Sequence, residues 1–219
     1  LADQAAKISE IVFVEKPGVR FSEQWKLLLD SNIDTRFMMT KNNQYRDNIE
    51  EIKQAIGILV EISWSNKNRI PNPGSWFTTK DLAFGGVSRD LMPHLLSIYQ
   101  MLNPQWKQYK RTHYKLDQHW NLSNIERSDY GTVVENGVYN VDDFCSIQFE
   151  KFLLNANWRS NEEDDIAIHT GNKTFELGLC PEYAYANMIK DALNNINNND
   201  FWNNQRSMDL WIHQQLETM

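Results

Sequence analysis

The chain has 219 residues, with 22 Lys plus Arg against 29 Asp plus Glu, and its formal charge of −7 makes it a poor partner for nucleic acid. No apolar run approaches the roughly 20 residues that a membrane span needs, and 41% hydrophobic residues with eight Trp supply a large core and argue against disorder. Two cysteines, Cys145 and Cys180, are too few for a disulfide framework, so a reducing, cytoplasmic setting is the expectation.

The chain opens at Leu1 on what reads as the end of a helix, which runs straight into the apolar strand 11–14. A domain seldom starts this way, and the expectation is a fragment. Ile11-Val12-Phe13-Val14 lacks alternation, the pattern of a strand buried on both faces of a parallel sheet. Glu15-Lys16-Pro17-Gly18 ends it. Ser22 then caps a predicted helix to about Leu29, with Trp25, Leu28 and Leu29 on one face. Residues 33–39 form a second strand, which completes a βαβ unit of a doubly wound sheet.

After residues 41–46 the style changes. A short helix over 48–55 and a strand over 57–64 precede a polar loop to residue 75. Gly85-Gly86 leads into an apolar helix over 87–102. Residues 106–158 are strand-like, with turns at Asp129-Tyr130-Gly131 and Asn136-Gly137. Residues 166–168 and 174–179 make a hairpin about Gly171-Asn172. Helices over 183–193 and 201–216 close the chain, separated by an Asn-rich surface loop over 194–199. The predicted architecture is α/β: the last strand–helix–strand of a nucleotide-binding domain over 1–45, then an α+β domain over 46–219 with a large, mostly antiparallel open sheet. The helices can cover only one side of that sheet. Phe144, Ile147, Phe149 or Trp158, in whichever alternation the register sets, are the candidates for an apolar patch on the other side, an interface for self-association.

Two segments carry chemistry. A lysine directly after a buried parallel strand points toward the ligand crevice at the strand ends, so Lys16 is a candidate, with Pro17 fixing the backbone beside it. An ordinary charged loop fits the tripeptide as well. In Gly85-Gly86-Val87-Ser88-Arg89-Asp90-Leu91-Met92-Pro93-His94, Asp90 and His94 stand four apart and share one helix face. A carboxylate beside an imidazole readies it for acid–base work; a first-turn Asp and a core histidine are the alternative. The paired glycines permit close backbone approach at the helix entrance.

The order and spacing of Glu-Lys-Pro, the segment Gly74-Ser75-Trp76-Phe77-Thr78-Thr79-Lys80 and Gly-Gly-x-x-x-Asp-x-x-x-His resemble the Gfo/Idh/MocA oxidoreductase family, the relatives of glucose–fructose oxidoreductase and inositol dehydrogenase. The resemblance implies an NAD(P)-dependent dehydrogenase of a sugar, cyclitol or related polyol. In it Lys16, Asp90 and His94 are catalytic, and Glu15, Lys16 and Pro17 lie at the cofactor. His94 is the acid–base group, and Asn43, Tyr45, Arg46 and Trp76 line the substrate. It implies that Lys16, Asp90 and His94 share a cleft, and that the protein is a homo-oligomer through its C-terminal sheet. No G-x-G-x-x-G fingerprint occurs in the chain, so weak binding of NAD or NADP by this chain alone is expected. Met92-Pro93 and Ser97 depart from the family pattern and leave the substrate open. A non-catalytic nucleotide- or sugar-sensing regulator of the same fold is the alternative, since fold does not set function.

Other residues carry less. His113 and His119 lack partners at metal spacing, so no metal site is expected. Residues 162–165 are four consecutive acids, read as a solvated turn. Trp202, Met208 and Trp211 read as core, and both cysteines as inert.

Overall fold

A computed structural model describes residues 1–67, 69–126, 128–160, 165–178 and 180–219. In chain order the elements are α1 (Ala2–Ala6), β1 (Ile11–Val14), α2 (Ser22–Asp30), β2 (Arg36–Met39), α3 (Ile49–Gln54), β3 (Val60–Lys67), α4 (Lys80–Ala83), α5 (Val87–Asp90), α6 (Met92–Leu102), β4 (His113–Asp117), β5 (Phe144–Phe149), β6 (Phe152–Ser160), β7 (Asp165–His169), β8 (Thr174–Glu176), α7 (Glu182–Asn194) and α8 (Asn199–Glu217). They fall into two compact units, Leu1–Ile49 with Cys180–Met219, and Glu50–Leu179. The division expected at residue 46 falls after Ile49 instead, and residues 180–219, expected with the second unit, group with the first. No helix among the described residues is long and apolar enough to cross a membrane.

In the first unit β1 and β2 pair in parallel, from Ile11↔Arg36 to Val14↔Met39, with α2 as the crossover. Of β1 only Val12 is buried and the rest of the strand is half-buried, whereas Phe37, Met38 and Met39 of β2 are buried. Ser22 is the first residue of α2 rather than its cap. The orphan amides at that end are satisfied otherwise: Phe21 N–H donates to Gln24 Oε1 at 3.0 Å, and Ser22 N–H to Glu217 Oε2 of α8 at 3.0 Å. The closing helices, expected to cover the large sheet, pack here instead. Met38 of β2 shares a core with Met188 and Ala192 of α7 and Trp202 of α8. The Asn-rich stretch is a joint rather than a loose loop. Asn198 Oδ1 caps α8 through Phe201 N–H at 3.2 Å, Asn195 Nδ2 donates to Asp191, and Asn195 O accepts the Trp202 indole N–H at 2.9 Å.

The second unit is a six-stranded sheet in the order β4-β5-β6-β3-β7-β8. Its pairings are antiparallel except for the central β3–β6 pair, which is parallel because the helices and β4 and β5 intervene between those strands. The β7–β8 hairpin turns at Gly171, whose φ is +83°. One sheet face carries Val60, Ile62, Cys145, Ile147, Phe149, Phe152, Leu154, Ala156, Trp158, Ile166 and Ile168, all buried and covered in part by α6. Period-2 alternation sends their neighbours Glu61, Ser63, Ser65, Ser146, Gln148, Asn155 and Asn157 to the other face. The register sends Ile147, Phe149 and Trp158 to the core and leaves Phe144 on the open face, where Leu153 and Ala167 stand among the polar residues.

Candidate active site

The predicted helix over 87–102 is broken in two. Pro93 has no N–H for the Arg89 carbonyl, so α5 stops at Asp90 and α6 starts afresh with Pro93 in its first turn. His94 N–H donates to Leu91 O at 3.1 Å across the joint. The start of α5 is fixed from outside. Asp142 accepts from Gly86 N–H at 3.0 Å, Ser88 N–H at 2.7 Å and the Ser88 hydroxyl at 3.0 Å, while Val87 N–H donates to its carbonyl at 2.9 Å. The glycine pair exists for this contact: a Cβ on Gly86 would sit 2.0 Å from Asp142 O. Gly85 takes a φ of +151° and Phe84 before it a φ of +66°, so the chain bends sharply into the helix.

This joint places Asp90 and His94 beside aromatic rings. Trp158 Nε1–H of β6 donates to Asp90 Oδ2 at 3.2 Å. The His94 ring lies 5.2 Å from the Trp64 ring of β3, tilted by 57°. Phe77 packs 6.0 Å from Trp158, and Trp76 packs 5.1 Å from Phe77 with 60% of its own surface exposed. Trp76, Phe77, Trp158 and Asp90 thus form a continuous line. Sequence reasoning missed Trp64, Trp158 and Asp142. Strand alternation anchored on Ile62 or Leu154 puts both tryptophans on the helix-facing side, but nothing in the sequence marks Asp142 as the partner of Gly86.

Glu15, Lys16 and Pro17 lie in the first unit, on the turn after β1, at the carboxyl end of a parallel strand. Glu15 is exposed, Lys16 and Pro17 are half-buried, and the Lys16–Pro17 peptide is cis. Asn43, Tyr45 and Arg46 are on or next to the short 3-10 turn Asn42–Tyr45 and face inward. Arg46 Nε–H donates to Asn43 Oδ1 at 2.8 Å, and Asn43 and Arg46 are both buried. The Tyr45 hydroxyl donates to Asp191 Oδ2 of α7 at 3.0 Å; burial and that carboxylate push its ionisation well above the ordinary phenol range. Next to them lies a charged pair that the sequence reading did not single out. Lys41 and Asp209 of α8 form an ion pair with neither side chain exposed, and Asp209 Oδ2 also accepts Met39 N–H at 2.9 Å.

Among the described residues no cluster of three or more His, Cys, Asp or Glu is placed to hold a metal ion. His119 faces Asp143, His113 is exposed on β4, and both cysteines are free. Residues 162–164 of the acidic run lie outside the described residues; Asp165 opens β7 and accepts Gly178 N–H at 2.5 Å.

No protein-family model and no curated protein matches the chain. Solved structures do. GenD2 from gentamicin A biosynthesis, in complex with NAD, superposes with a TM-score of 0.73 at 14% identity, covering 99% of this chain and 70% of that one. Levoglucosan dehydrogenase in complex with NADH and levoglucosan gives a TM-score of 0.57 at 19% identity over 80% of this chain, which spans only 50% of that enzyme. An NAD-binding protein from Listeria innocua gives 0.60 at 18% identity, covering 100% of this chain and 71% of that one. The chain has the fold of the Gfo/Idh/MocA-type oxidoreductases.

Proposed function

We propose that this chain is part of an NAD(P)-dependent oxidoreductase that moves a hydride between a nicotinamide ring and a CH–OH carbon of a sugar, cyclitol or related polyol. The observation that carries the reading is the pair Asp90 and His94, set at a helix joint and backed by Trp158 and Trp64. His94 takes the hydroxyl proton in oxidation and returns it in reduction. Asp90, held through the Trp158 N–H, places a negative charge one turn before the imidazole and favours the protonated ring that the step creates. Trp76, with its exposed ring, is proposed to face the sugar. Asn43, Tyr45 and Arg46 are proposed as further substrate residues of the first unit, where Arg46 donates to Asn43 and Tyr45 to Asp191.

The cofactor fits this chain at its reactive end. The turn after β1 presents a half-exposed ammonium, Lys16, where open parallel sheets receive nucleotides, and Glu15 and Pro17 flank it. When bound, the nicotinamide supplies or accepts the hydride. The likeness to structures solved with NAD or NADH supports this assignment. The proposal includes a cytoplasmic location, on the strength of two free cysteines, and self-association through the open polar face of the six-stranded sheet.

The test is steady-state turnover of NAD and NADP by the parent enzyme against a panel of sugars and cyclitols, alongside His94→Asn, Asp90→Asn and Lys16→Met. His94→Asn is expected to lower kcat by about 100- to 10,000-fold with little change in KM. Turnover by His94→Asn equal to that of the unaltered enzyme sinks the assignment. Calorimetric binding of cofactor and sugar without turnover favours the sensor reading.

A further inference from the structure

We propose that His213 is doubly protonated at neutral pH and, in that state, is a positioning residue for the turn that carries Lys16. His213 lies on the inner face of α8 with Asp209, Ile212 and Leu216, and is 1% exposed. Its Nδ1 is 2.7 Å from the main-chain oxygen of Asp209, one turn earlier, and its Nε2 meets the main-chain oxygen of Pro17. Both partners are carbonyl oxygens, which accept and never donate. A neutral imidazole carries one N–H, so one ring nitrogen would set a lone pair against an oxygen lone pair in a dry site. Only the imidazolium satisfies both contacts.

Burial opposes the charge, and the two carbonyl oxygens and the stacked indole are what offset it. The His213 ring stacks on the Trp25 indole of α2 with centroids 4.9 Å apart and planes 25° from parallel, an arrangement that favours a cation over a neutral ring. Asp209 stands one turn before it and Glu217 one turn after it on its own helix, Lys41 pairs with Asp209, and Glu15 and Lys16 precede Pro17 in the chain. Asp209 is taken by Lys41 and Met39 N–H, Glu217 accepts Ser22 N–H, and the Tyr45 hydroxyl donates to Asp191. His213 therefore pins the residue after Lys16 to the longest helix of its unit. Loss of a proton removes one of its two donors and releases the turn. The charge state stands independently of the oxidoreductase reading; what Lys16 does there rests on it.

The test is nitrogen-15 NMR of the imidazole nitrogens of the whole chain across a neutral-to-alkaline pH series, with the His213 ring assigned through its proximity to Trp25. Two protonated ring nitrogens are expected at neutral pH, persisting to a higher pH than in the exposed His113, His119 and His169. A bare ring nitrogen at neutral pH, or loss of the proton in step with those three, overturns the proposal. The Lys16 ammonium signal, followed in the same series, is expected to move as His213 loses its proton. If it stays fixed, the positioning role is overturned while the charge state stands. Failure of the oxidoreductase reading would show in turnover by the His94 and Lys16 variants, which this measurement does not touch.

Discussion

At the scale of the residue, the Lys41–Asp209 pair has the largest energetic leverage in the first unit. Two charges with no exposed surface are tolerated only while each compensates the other. Asp209→Ala leaves the Lys41 ammonium buried without its carboxylate and Met39 N–H without its acceptor, at an expected cost of about 3–5 kcal/mol in urea unfolding. The double variant Lys41→Met/Asp209→Leu is expected to recover most of that loss, because two apolar groups of similar volume carry no desolvation penalty. Thiol chemistry gives a second reading at this scale. Burial pushes the Cys145 thiol well above its ordinary range and Cys180 upward too, the latter partly offset by Arg46. A raised value means less thiolate at any pH below it, so both should alkylate more slowly than free cysteine at mildly alkaline pH. Cys180 should react first and accelerate as pH rises, and Cys145, with no exposed surface, should label only on unfolding. Mass-resolved iodoacetamide labelling over a pH series checks the order.

At the scale of the element, α5 is four residues long and has no side-chain cap of its own, so its direction depends on Asp142. Asp142→Ala removes an acceptor of two main-chain amides and is expected to cost about 2 kcal/mol. Asn198→Ala, which removes the cap of α8, is expected to cost about 1 kcal/mol. The two differ in what else they change. Asp142→Ala should shift the near-ultraviolet signal of Trp64 and Trp158, since those rings pack against the helix joint, whereas Asn198→Ala lies in the other unit and should leave them alone. Gly86→Ala is expected to be worse than either, about 3 kcal/mol or failure to fold, because its Cβ would meet a main-chain oxygen that has no room to retreat.

At the scale of the whole molecule, each unit has its own core and its own candidate chemistry: Asp90 and His94 in the second, Lys16 and the His213 network in the first. The open face of the large sheet bears on self-association. It carries Ser63, Ser65, Ser146, Asn155 and Asn157 beside Phe144, Leu153 and Ala167, with Asn155 donating to Glu61 at 2.7 Å. An interface of that composition combines hydrogen bonds and trapped water with some apolar burial. Light scattering over a concentration series is expected to show a dimer or larger species, and Asn155→Arg and Asn157→Arg together to return it to monomer. A monomer at every concentration removes self-association from the proposal.

The βαβ start, the hairpin at Gly171, the closing helices and the motif carrying Asp90 and His94 were legible in the residues, because periodicity, turn glycines and motif spacing are local properties. The break at Leu91 was local as well: Pro93 announces it. Other features hung on contacts distant in sequence. Whether Trp158 faces the core or solvent depends on the register of β6 against β3, and a shift of one residue reverses it. Asp142 meets Gly86, and His213 meets Pro17, across 56 and 196 residues, and no pattern within a window of the chain encodes such a pair. The α7–α8 segment looked like a cover for the large sheet because an amphipathic helix states only that it has an apolar face. Which surface receives that face is a matter of three-dimensional packing, and here Met38 of β2 received it.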